Sequence, residues 1–131
     1  MSQNEQNYNP EDVAKTSEIN FKVKLDENHI PLDVEWDTSD DQGGGVCKIA
    51  FLTLWDRNEE NTMRIDLWTK DVRMDEMKRF FYENLLTMTD SLERATDDKE
   101  SVKKIRDFAN DIGKDLEVLP NDENENGQGE N

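Results

Sequence analysis

The spacing of apolar residues changes period partway along the chain, and that change constrains the fold more than any other feature. Ile19, Phe21, Val23 and Leu25 occupy alternate positions, with Glu18, Asn20, Lys22 and Lys24 between them. A period of two marks a strand with one wet face. After the polar "DENH" the alternation resumes in Ile30, Leu32, Val34 and Trp36, which predicts an antiparallel hairpin. Pro31 cannot donate to a ladder, so it belongs at the strand's beginning or on an open side. "TMRIDLWT" alternates once more, with Met63, Ile65 and Leu67 inward and Arg64, Asp66 and Trp68 outward, giving a third strand.

Beyond Asp71, a candidate helix cap, the period lengthens. Met74, Met77, Phe81, Leu85, Met88 and Leu92 recur at spacings of three and four, as one face of a helix does. Thr96 or Asp97 starts a second helix, whose stripe is Val102, Ile105, Phe108 or Ala109, Ile112 and Leu116. The expected class is α+β: a small antiparallel three-stranded sheet covered on one face by two C-terminal amphipathic helices. Ile19, Leu32 and Ile65 are then expected to share one interior.

Two segments resist this reading. "VCKIAFLTLWD", residues 46–56, is apolar on nearly every side, so its period separates helix from strand poorly; a short extra helix is expected there. "DTSDDQGGG", residues 37–45, is a loop by composition. No Gly-Lys-Ser/Thr follows it, and Asp40 and Asp41 would repel a phosphate.

Charge narrows the functions. Sixteen basic against thirty-two acidic side chains in 131 residues leave a net charge of −16. Such a field opposes nucleic acid and anionic lipid. Residues 1–16 and 120–131 hold too few large apolar side chains to offset the entropy of ordering, so both read as disordered tails around a single domain over residues 17–119. There is no basic stretch followed by an apolar core at the N-terminus, and no run long enough for membrane insertion. Cys47 is the single cysteine, so no intramolecular disulfide is expected and the compartment reads as cytoplasmic.

Candidate chemistry is sparse. One cysteine and one histidine, His29 in a turn, cannot supply a soft metal site, and the loop at 37–45 lacks the closing glutamate of a calcium loop. Cys47 sits in an apolar run as a small hydrophobe. Asp66 lies between Ile65 and Leu67, but in a strand those neighbours point to the opposite face and leave it solvated. No catalytic residue, metal or cofactor is expected.

The junction between the last strand and the first helix is different. Arg64, Lys70, Arg73, Lys78 and Arg79 stand against Asp66, Asp71, Asp75 and Glu76, close to neutral in an acidic chain. Trp68 on the polar face beside Arg64 has the composition of an interface anchor. Covering of Trp68 by a tail, a loop or the Val46 segment is the competing reading. The candidate protein-binding residues are Arg64, Asp66, Trp68 and Lys70. An open strand edge would also allow a homodimer.

"TSEINFKVKLDENHIPLDVEW", "LTLWD", "NTMRIDLWTKDVRMDEMKRFF" and "LERATDD", in that order, closely resemble the gliding motility protein GldC family of Bacteroidota, over about Thr16 to Leu119. "RIDLWTKD" followed by "DEM" is the most specific part. The resemblance implies a small cytoplasmic accessory of gliding motility, with no assigned reaction and no catalytic residues to carry over. "MSQNEQNYNPEDVAK" and "NDENENGQGEN" extend beyond what the family core requires. The expected function is non-enzymatic protein–protein interaction with a component of the gliding machinery. The alternatives are a chaperone or adaptor for a secreted motility component, or an uncharacterised small enzyme.

Overall fold

The computed structural model describes residues 7–40 and 43–120. They fall into two compact units, one ending at Val72 and one starting at Arg73. The outermost residues of both expected tails, and Asp41 and Gln42 of the glycine-rich segment, lie outside the described residues. Residues 7–16 are exposed, with one 3-10 turn at Pro10–Asp12 started by the Asn9 side chain.

The first unit holds five strands: β1 (Ile19–Leu25), β2 (Pro31–Thr38), β3 (Gly44–Cys47), β4 (Ile49–Trp55) and β5 (Thr62–Trp68). β1 and β2 form the expected hairpin, with Phe21 opposite Trp36 and Val23 opposite Val34, and Pro31 is the first residue of β2. Asp26 builds the turn. Its Oδ1 accepts the backbone N–H groups of Asn28 at 2.8 Å and Ile30 at 3.0 Å, which lets His29 take a positive φ of 64°. The register shifts between Lys24 and Leu25, and Leu32 is left out of the pairing.

β3 completes the three-stranded sheet in the order β1-β2-β3. The glycine-rich segment is therefore more than a connector: Asp37 and Thr38 finish β2, while Gly44 and Gly45 open β3. Trp36 is opposite Gly45, and its ring reaches Gly43, where an added Cβ would come within 3.3 Å of Cη2. Gly43 also has φ +146°, so a side chain there is strained as well as crowded.

The helix expected over residues 46–56 is overturned. After a bend at Lys48 the chain continues as β4, which pairs antiparallel with β5 in a second sheet. β5 is the strand predicted at 62–69, but its neighbour is β4 and the three-stranded sheet takes β3 instead. Apolarity on both sides of β4 has a structural cause. Ala50, Leu52 and Leu54 share a face with Leu67, Ile65 and Met63, while Ile49 and Phe51 lie opposite Trp68 and Asp66. Thr69 N–H extends the β4–β5 ladder to Lys48 O at 2.8 Å, and Lys70 N–H bonds to Pro31 O of the three-stranded sheet at 3.1 Å.

The shared interior of Ile19, Leu32 and Ile65 is also overturned: the three are 65%, 48% and 54% exposed. Val34 and Ala50 are the buried apolar residues of this unit. Alternation assigns a residue to a face, but it does not say how far along the strand that face is covered.

The second unit is a helical hairpin of α1 (Met74–Thr96) and α2 (Lys99–Asp115). The expected cap, Asp71, instead accepts the hydroxyl of Thr69, and Arg73 precedes the helix with its N–H donated to Glu76 at 3.0 Å. Asp97 closes α1 in a left-handed conformation, and Asp98 caps α2 by accepting Ser101 N–H at 3.0 Å. A cap of this kind contributes about 1 kcal/mol. Val102 and Ala109 are buried, and the choice between Phe108 and Ala109 resolves to Ala109, with Phe108 exposed.

The stripe expected on α1 holds only in part: Met77 and Leu85 are half-buried, whereas Met74, Phe81, Met88 and Leu92 are exposed. Contact with α2 includes Tyr82, whose ring approaches Gly113, and Asp90 and Glu93, both bound by Arg106 at 2.8 and 3.1 Å. Apolar residues at 74, 81, 88 and 92 mimic a core stripe in spacing, whereas the residues buried in the hairpin are Thr89 of α1 and Val102, Ala109 and Gly113 of α2.

Candidate functional site

The candidate residues are set by the period of β5. Arg64, Asp66 and Trp68 share one face, opposite Thr53, Phe51 and Ile49 of β4. Arg64 reaches Asp66 along its own strand through two bonds, Nη2 to Oδ1 at 3.1 Å and Nε to Oδ2 at 3.3 Å. Its guanidinium also lies 5.5 Å from the centre of the Phe51 ring. Such contacts hold a planar cation flat on the sheet. Trp68 is 51% exposed, so about half of its surface stays open to solvent.

Beyond Trp68 the chain leaves the strand through Thr69, which is buried. Lys70 then turns back across the first unit, placing Nζ 3.0 Å from Asp26 Oδ2. The turn that shapes the first hairpin thus also anchors the exit of the last strand. Asp26 is held below the usual carboxylate range, first by the Ile30 N–H and then by the Lys70 ammonium. A carboxyl depressed by folding contributes stability above its unfolded pKa, near about 4, and that contribution is lost as pH falls through the lower folded value. Wild-type protein is therefore expected to lose more stability than Asp26→Asn between neutral and strongly acidic pH, as read from urea unfolding at each pH. Equal losses would show that this carboxyl is uncoupled from folding.

Between the first turn and the end of β5 lies an open hollow of about 490 Å³. Leu25, Ile30, Pro31 and Leu67 give it apolar walls, while His29, Asp66, Trp68 and Lys70 ring it with polar groups and an indole. Leu67 and Trp68 point to opposite faces of β5, so a hollow touching both sits at the strand's edge. Of the four candidates, Asp66, Trp68 and Lys70 line the hollow, and Arg64 joins through Asp66. The contributions of Leu25, Asp26, His29, Ile30 and Pro31 were missed in the sequence, because the return of Lys70 to Asp26 spans 44 positions. The one local signal was the aspartate opening "DENH".

Other groups offer little chemistry. The Cys47 thiol is half-buried and pushed up by that burial, the opposite of a reactive thiolate. Among the described residues no three His, Cys, Asp or Glu side chains group as metal ligands, and no helix is long and apolar enough to cross a membrane.

The family described as "Gliding motility-associated protein GldC-like" matches residues 31–118, from the first residue of β2 to just past α2. β1 lies outside the matched span. No curated protein and no solved structure matches the chain.

Proposed function

This chain belongs to the GldC-like family of gliding motility-associated proteins, and from that premise we propose that it is a non-enzymatic accessory of the motility apparatus, working in the cytoplasm through protein–protein contact. The surface assigned to that contact is the outer side and exit of β5: Arg64, Asp66, Trp68 and Lys70. The observation that carries the reading is Trp68, half-exposed on the rim of an apolar hollow and flanked by charges already fixed in ion pairs. A partner side chain entering the hollow would desolvate the indole, while the pre-set charges orient the approach.

Four of the acidic groups have a structural use. Asp26, Asp71, Asp75 and Asp98 are all held low by hydrogen bonds, which fixes them as anions. A general acid at neutral pH needs the opposite shift. Affinity purification of the full chain from a gliding host, followed by mass spectrometry, tests the reading. One motility component enriched with the folded chain supports it. Enrichment of unfolded, pre-secretory clients would favour the chaperone alternative instead.

A further inference from the structure

The outer edge of β5, which the hollow borders only from Asp66 onward, also carries an instruction for pairing. Asp56 N–H bonds to Asn61 O at one end of the β4–β5 ladder, and Thr69 N–H bonds to Lys48 O at the other. Hydrogen-bonded pairs alternate along an antiparallel ladder, so Met63, Ile65 and Leu67 aim their backbone groups at β4. The backbone groups of Thr62, Arg64, Asp66 and Trp68 then face outward, where no strand pairs with β5 among the described residues. β1, the outer strand of the other sheet, bears Lys22 and Lys24, a common guard against added strands. β5 carries one cation and one anion, two positions apart.

We propose that a second copy of this chain pairs with this edge, antiparallel and two-fold symmetric about Ile65. In that register Arg64 faces Asp66 of the partner subunit, and Asp66 faces the partner's Arg64. Both are positions whose backbone groups point outward, so each forms a hydrogen-bonded pair. Ile65 meets its own copy at the closer, non-bonded position, and Met63 meets Leu67, burying side chains that stand exposed or half-buried in one chain. A slip of two residues either way sets Arg64 against Arg64 or Asp66 against Asp66. The charges therefore select one register, and a two-fold contact is self-complementary there. The product is a four-stranded sheet, β4-β5-β5-β4, in place of a two-stranded ribbon that is marginal alone. This inference goes beyond the reading above, because it uses the strand's backbone edge and holds whether or not Trp68 anchors another protein.

The test is the mass of the full chain in solution across a concentration series, by light scattering and sedimentation. Wild type is expected to dimerise. R64D and D66R each set like charges across the two-fold axis and should weaken the dimer by roughly tenfold or more. Each variant also loses its pair along the strand, so circular dichroism should establish that both remain folded. Mixing the two separates the effects: Asp at 64 and 66 in one chain then faces Arg at 66 and 64 in the other, and a heterodimer should form. The double swap R64D/D66R keeps every pair and should dimerise like wild type even if a single variant fails to fold. A monomeric wild type, single variants that dimerise normally, or a double swap that stays monomeric would each overturn the proposal.

Discussion

Replacing Trp68 with alanine is expected to lower affinity for the motility partner by at least about thirtyfold, the effect of losing a central aromatic anchor worth roughly 2 kcal/mol. Trp68 is half-exposed, so the substitution removes little internal packing and the fold should survive. Trp55 supplies the control. It lies on the same face of the β4–β5 hairpin at the far end, it is 68% exposed, and it does not border the hollow. Quantitative recovery of the partner on immobilised wild type, Trp68→Ala and Trp55→Ala should fall only for Trp68→Ala. A matching loss in both variants would mean that general hydrophobic adhesion holds the partner. Full retention in Trp68→Ala would remove this surface from consideration.

The second large effect concerns folding. Gly113 is buried in α2, and a Cβ there would lie 2.7 Å from both Tyr82 Cε1 and Leu119 Cδ1. Its carbonyl also accepts the N–H groups of Val118 and Leu119, which fold the chain back over the helix end. Gly113→Ala gains about 1 kcal/mol of helix propensity against the crowding, so its net effect is small. Gly113→Val adds two more methyl groups and gives back much of that gain; it is expected to cost about 2–3 kcal/mol in urea unfolding. Leu119→Ala in the same chain should recover part of the loss, because it clears one of the two obstructing atoms. If Gly113→Val unfolds at the wild-type midpoint, the close approach of Tyr82 and Leu119 is not a feature of the folded chain.

The sequence carried more of the architecture than of the packing. Alternation from Ile19 to Trp36 is strong because β1 and β2 interleave apolar with charged residues, and their hairpin is present as expected. The helices were legible from their three-and-four spacing, but their caps moved, from Asp71 to Arg73 and from Thr96 or Asp97 to Asp98, and most of the stripe expected on α1 is exposed. Residues 46–56 were illegible because β4 is apolar on both faces: Thr53 is its one polar residue and cannot mark a period alone, and Phe51 lies under the Arg64 guanidinium. Glycines 44 and 45 read as a connector because composition cannot register Trp36 crossing onto them. The four candidate contact residues came from one strand and its exit, where alternation fixes their sides. The hollow beside them depends on a lysine meeting a distant aspartate, and no local pattern encodes that meeting.

The contact surface proposed at the end of β5 can be tested inside cells. A photo-reactive amino acid placed at residue 68 of the full chain, in living gliding cells, reports what lies within a few ångströms of that position. The same group at the exposed Lys104 of α2 serves as the reference. One adduct with a motility protein from position 68, absent from position 104, is the predicted outcome. No adduct from 68, or the same adducts from both positions, would contradict the assignment of this surface.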